Sequence, residues 1–142
     1  MKLLYKPVLL SVLFFSTRTV NAQVPVLSSN PSASAVIFLD FDGHTVDNTA
    51  WNYNGPIYCG ASGLTNTQIT EVFNRVAEDY RPFNINITTD STKYFAAPAL
   101  QRTRVILTVS SSWYGSAGGV AFVGSFSWGD DTPCFIFSAL LN

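Results

Sequence analysis

Charge is scarce in this sequence. Only 12% of its 142 residues are Asp, Glu, Lys or Arg, and the eight basic ones form no cluster, which argues against a nucleic-acid-binding protein. Histidine is scarcer: His44 stands alone, and no Glu follows Glu78. A site that needs several imidazoles cannot be assembled from this chain. No apolar run approaches the roughly 20 residues that cross a bilayer. Cysteine is limited to Cys59 and Cys134. Aromatics, by contrast, make up 14% of the residues, and together with the low charge they indicate a packed core and not a disordered chain.

The first residues carry the three-part pattern of a secretory signal. Lys2 and Lys6 make a positive start, residues 8–15 are apolar except for Ser11, and Val20-Asn21-Ala22 offers small or apolar residues where a signal peptidase reads. Residues 1–22 are therefore expected to be removed between Ala22 and Gln23, leaving a secreted or periplasmic protein with no membrane segment. The signal takes Lys2, Lys6 and Arg18, so five basic residues face nine acidic ones, a net charge of −4. That balance gives no handle for nucleic acid or for an anionic membrane surface. In an oxidising compartment Cys59 and Cys134 are expected to pair as one disulfide. It would close a long loop and contribute about 4 kcal/mol by loop entropy. A metal pair and two free thiols are the alternatives, and neither Cys has a His or a second Cys near it in sequence.

Residues 23–34 are rich in Ser, Pro and Asn, show no periodicity, and read as a linker or an extended lead-in. Residues 35–39 (AVIFL) form a continuous apolar run, the mark of a strand buried on both faces. Residues 45–63 read as irregular. Over 66–80, Ile69, Val72, Phe73, Val76, Ala77 and Tyr80 make one apolar helical stripe, with Thr65 and Gln68 placed as a capping box and Pro82 as the stop. Residues 83–88 alternate, with Phe83, Ile85 and Ile87 on one side and Asn84, Asn86 and Thr88 on the other, as in a half-buried strand. Residues 104–109 (RVILTV) are a further buried strand, 119–128 alternate again, and 134–137 (CFIF) form a last short strand. The fold class is α/β: a mixed, mostly parallel twisted sheet of about five strands with one long helix. The strand–helix–strand start implies a right-handed crossover between parallel neighbours. One helix cannot cover both faces of such a sheet, so the domain is expected to be incomplete.

One pattern points to phosphoryl chemistry. The apolar strand ending Asp40-Phe41-Asp42-Gly43 resembles the first motif of haloacid-dehalogenase-like phosphatases. The resemblance implies Asp40 as nucleophile and Asp42 as proton shuttle, with magnesium between them. The other motifs of that family have no counterparts in the right order, and a strand-end turn with both carboxylates accepting backbone N–H bonds accounts for the pair more simply. His44 is read likewise as a hydrogen-bonded turn residue.

A second resemblance covers most of the chain. VIFLDFDGHTV, VAEDYRPFNINITTD, RVILTV and above all WYGSAGGVAFVGSFSWGDDTPCFIFS resemble the amino-terminal half of secreted bacterial zinc metallopeptidases of the metzincin type. The resemblance implies that residues 35–142 are the upper part of a peptidase catalytic domain, an incomplete zincin-like half-domain, whose substrates are proteins or peptides. It implies that Gly118, Gly119, Val120, Ala121, Phe122, Val123 and Gly124 form an antiparallel rim strand that pairs with extended substrate. The parent family holds zinc on a helix bearing His-Glu-x-x-His. Those ligands are absent from this chain, so no catalytic or metal residue is assigned and the chain alone is expected to be an inactive fragment. A non-catalytic secreted binding module, using Trp51, Trp113, Tyr114 and Trp128, is the remaining alternative.

Overall fold

Strand β1 (Ala35–Asp40) is the centre from which the sheet grows. The computed structural model of the chain describes residues 23–141, so the secretory segment assigned to 1–22 lies outside the described residues. After β1 comes a short antiparallel hairpin of β2 (His44–Val46) and β3 (Ile57–Cys59). Helix α1 (Asn66–Asp79), strand β4 (Ile85–Thr88), helix α2 (Ser91–Ala96), strand β5 (Arg102–Thr108), strand β6 (Gly119–Val120) and strand β7 (Cys134–Phe137) follow. The main sheet has the order β4-β1-β5-β7-β6. Its first four strands are mutually parallel, and β6 pairs antiparallel with β7 at the edge. The fold is α/β with a mixed, mostly parallel five-stranded sheet and one main helix.

Local chemistry sets the elements. The capping box closes the first turn of α1: the Thr65 hydroxyl accepts from the Gln68 N–H, and the Gln68 side chain accepts from the Thr65 N–H. Ile69 and Phe73 from the helix pack on Ile37, Leu39, Phe41 and Ile87. On the opposite face, α2 seats Tyr94 against Val36 and Phe38. Beside it the hairpin brings Val46, Ile57 and Cys59, with Trp51, onto Ile106, Phe135 and Phe137. That second face is therefore closed along β1, β5 and β7.

Several expectations are corrected. Of the two readings of residues 23–34, the extended lead-in is the one seen, not the linker. The chain runs along the outer edge of β4, where Ser29 N–H donates to Ile87 O and Ile87 N–H to Ser29 Oγ. The same segment buries the polar side of β4. Asn86 and Thr88, expected at a solvated face, are 1% and 0% exposed, the Asn86 carbonyl accepting from Ser28 Oγ and Asn30 N–H. The stretch 45–63 contains the hairpin, which short strands rich in polar residues did not announce. Alternation over 119–128 does not produce a long strand. Pairing stops after Val120, Val123 is 99% exposed, Gly124 turns through φ +81°, and Ser125–Ser127 form a helical turn.

The disulfide is also corrected. Cys59 and Cys134 are both free. Side chains alternate along β7, so Phe135 and Phe137 join the hairpin side with Cys59, while Cys134 and Ile136 face the α1 side. The sheet itself stands between the two thiols. A disulfide needs Cα atoms within about 7 Å and converging Cβ vectors, and residues on opposite faces do not meet that need.

Candidate functional site

The two faces of the sheet are not covered alike. On the α1 side the helix packs over β4 and β1 and reaches Leu107 of β5, and beside it lies a hollow of about 760 Å³. Its floor is Ile37, Leu39, Val105, Leu107 and Ile136, its one wall Val72 and Val76 of α1, and its other wall the turn at Phe122 and Phe126. Cys134 and Thr103 add the few polar atoms of the floor. Burial pushes the Cys134 thiol up from its ordinary value, so it stays protonated and unreactive there.

Strand β6 lies beside β7, whose Cys134 and Ile136 line this hollow, and the turn after β6 supplies its wall. The pairing of β6 begins one residue early, where Phe137 N–H donates to Gly118 O at 2.9 Å. Glycine is required at 119: a Cβ there would stand 2.7 Å from Phe135 O. Close backbone approach holds β6 on β7, and its outer backbone edge has no strand neighbour among the described residues. Of the seven residues assigned to substrate pairing, Gly118, Gly119 and Val120 lie along β7. Ala121, Phe122, Val123 and Gly124 lie in the following turn, with Phe122 packed on Trp51 at 4.0 Å between ring centroids.

The aromatic residues serve mainly as packing. Trp51 is 9% exposed, donates from Nε1 to Pro133 O at 2.8 Å, and meets Trp113, Tyr114, Phe122 and Phe135. Tyr114 and Trp128 keep 46% and 44% of their surface, and so contribute the only large aromatic surface of the four.

The Asp40–Asp42 turn is a separate place, at the carboxyl end of β1 on the hairpin face. Arg104 of β5 donates from Nη1 to Asp40 Oδ2 at 2.5 Å and to His44 Nδ1 at 2.9 Å. A guanidinium only donates, so His44 Nδ1 must be the unprotonated acceptor. Burial, then Arg104, lowers the His44 pKa, in keeping with a neutral ring. Burial, then the neighbouring Asp42, pushes the Asp40 carboxyl up to about 7 against the pull of Arg104. The Arg104 guanidinium also lies over the rings of Phe38 and Tyr94 at 5.2 and 5.1 Å. A phosphatase nucleophile needs an open approach to its carboxylate. Asp40 is 2% exposed with one oxygen held by Arg104, which does not offer one.

Sequence reasoning assigned no role to Arg104. The signal was present: an Arg inside a buried strand must find a carboxylate, and Asp40 was the one placed at the end of another buried strand. Among the described residues no group of three or more His, Cys, Asp or Glu stands together so as to hold a metal ion. No protein-family model, curated protein or solved structure matches the chain.

Proposed function

We propose that residues 35–141 are the upper part of a peptidase-type catalytic domain, offering β6 to an extended peptide and the apolar hollow to a helix that completes the domain. The reading rests on one observation, the adjacency of an edge strand with no further strand neighbour among the described residues to an apolar hollow of about 760 Å³ beside α1. An extended peptide laid beside β6 would add a strand by backbone hydrogen bonds, and side chains on one side of it would point toward the hollow. An amphipathic helix is the natural cover for the floor, since the β5–β7 half of the α1 face is apolar and has no helix of its own among the described residues.

The described residues do not fit a zinc site. Their only imidazole is engaged by Arg104, and no group of three or more possible ligands stands together among them. Zinc in the parent family would be held by residues other than these, and no hydrolytic step is assigned to this chain. An exported, peptide-handling protein is the localisation and substrate class that the signal-like start and the metzincin resemblance support.

The test is a titration of the isotopically labelled chain with a synthetic amphipathic helix bearing His-Glu-x-x-His. Methyl resonances of Ile37, Leu39, Val105, Leu107 and Ile136 should shift together, while those of Val36 and Ile106 on the sealed face stay fixed. A subsequent extended peptide should shift the amides of Gly119 and Val120. Shifts centred on Asp42 with a phosphate analogue, and none in the hollow, would replace this reading with the phosphatase one.

A further inference from the structure

The connection between β2 and β3 carries the one asparagine among the described residues that is followed by glycine, Asn54 before Gly55. The backbone nitrogen that follows an asparagine can attack its side-chain amide, and a side chain on that next residue obstructs the attack. Gly55 has none, and a Cβ built there would meet nothing within 4 Å, so the approach is open on the protein side as well. Gly55 turns through φ +94°, and the peptide lies outside either strand.

Asn54 is exposed, and neither its side chain nor the Gly55 N–H makes a hydrogen bond among the described residues. Asn52 is the opposite case. Its carbonyl accepts from the Thr49 N–H and hydroxyl, and its Nδ2 donates to Val46 O at 3.0 Å and to Gly55 O at 2.9 Å. A side chain held at both ends cannot swing onto the nitrogen that follows it. The free amide of Asn54 can.

We propose that Asn54-Gly55 is a site of spontaneous deamidation, and that its isoaspartyl product slackens the β2–β3 hairpin. The Gly55 nitrogen, having lost its proton to base, attacks Asn54 Cγ. The N–Cγ bond forms, the Cγ–Nδ2 bond breaks, and Nδ2 takes up a proton and leaves as ammonia. Water then opens the succinimide ring. Addition at Cγ gives aspartate, and addition at the Asn54 main-chain carbonyl gives isoaspartate, so amide and water become carboxylate and ammonium. The isoaspartyl link runs the main chain through Cβ and Cγ and lengthens it. That shifts Gly55 relative to the Asn52 Nδ2 that ties it to Val46 of β2. The site is independent of the peptide-binding reading, since it touches neither β6 nor the apolar hollow.

The full chain, incubated at pH 8.5 and 37 °C, digested and analysed by mass spectrometry with isoaspartate detection, tests it. The peptide containing residue 54 should gain the mass of OH for NH2, and should not do so in Asn54→Gln. The folded chain should convert within about ten-fold of the rate of the urea-unfolded chain, because no opening of the fold has to precede attack. In the isoaspartyl form, amides of β2 and β3 should exchange faster while those of β1 and β5 keep their protection. No conversion at residue 54, a larger gap between folded and unfolded rates, or unchanged exchange in the hairpin would each overturn the proposal.

Discussion

Replacing Arg104 by Met tests the electrostatics of the fold. Met keeps most of the length and the apolar stem, so the guanidinium is what is lost. At pH 5 the Asp40 carboxyl, pushed up to about 7, is protonated in the folded protein. The loss there is the hydrogen bonds to His44 and to the neutral Asp40 carboxyl and the stacking on Phe38 and Tyr94, about 1–2 kcal/mol in all. At pH 8 the wild-type carboxylate is ionised and paired. Without Arg104 it must ionise unpaired at 2% exposure or keep its proton against the solvent, a loss of about 3–5 kcal/mol. The destabilisation should therefore grow from pH 5 to pH 8, read from urea unfolding followed by tryptophan fluorescence. The wild type sets the baseline with a definite sign. A carboxyl raised from 3.8 to about 7 contributes stability that is fully present below pH 3.8 and is lost as pH rises toward 7, a decline of about 4 kcal/mol. His44 opposes it, because a lowered imidazole contributes stability present above its ordinary 6.5 and lost as pH falls through its folded value. An Arg104→Met cost that is constant with pH, or larger at pH 5, would refute the paired-carboxylate account.

Regular apolar periodicity was legible and irregular polar structure was not. The runs AVIFL, RVILTV and CFIF became β1, β5 and β7 because a continuous apolar stretch suits a strand with apolar side chains on both faces. The capped stripe of α1 was equally clear. What escaped was fixed by partners distant in sequence. Asn86 and Thr88 look solvated beside their neighbours, yet Ser28, Asn30 and Leu27, some 60 residues away, supply their hydrogen bonds. The hairpin was hidden because its anchors are backbone groups: Ser62 N–H donates to Phe41 O and the Thr108 hydroxyl to Gly60 O, across the carboxyl ends of β1 and β5. Alternation over 119–128 misled because period two describes a turn with one exposed Val as well as it describes a strand. The sequence count of one helix for five strands foresaw a shortage of cover, but it missed α2 and the hairpin that close one face. An Arg in one buried strand and an Asp ending another were legible as a pair, but the register that sets Arg104 beside Phe38 and so reaches Asp40 was not.

The thiols give the quickest check: after purification under air, a thiol reagent in denaturant should find two free groups per chain, and a count of zero would restore the disulfide. Ile106→Ala, at a position 0% exposed among Phe135, Phe137 and Trp51, should cost about 2–5 kcal/mol in urea unfolding. Val123→Ala, at 99% exposure, should stay within about 0.5 kcal/mol, and equal costs at the two positions would contradict the packing described. Gly119→Ala separates the edge from the core. A Cβ 2.7 Å from Phe135 O cannot be accommodated by a side-chain move, because the obstacle is backbone. β6 must lift away from β7 and give up the antiparallel pairing of 119–120. The rest of the sheet does not depend on that edge, since β4, β1, β5 and β7 are parallel neighbours held by α1, α2 and the hairpin. Amide exchange should therefore quicken at Val120 and at the tip of β7 while β1 and β5 keep their protection. Any extended peptide that binds by adding to the edge should lose affinity in proportion, while a helix seated in the hollow keeps most of its own. Uniform loss of protection across the sheet would mean that β6 is part of the core, and that the edge is not available to pair with anything.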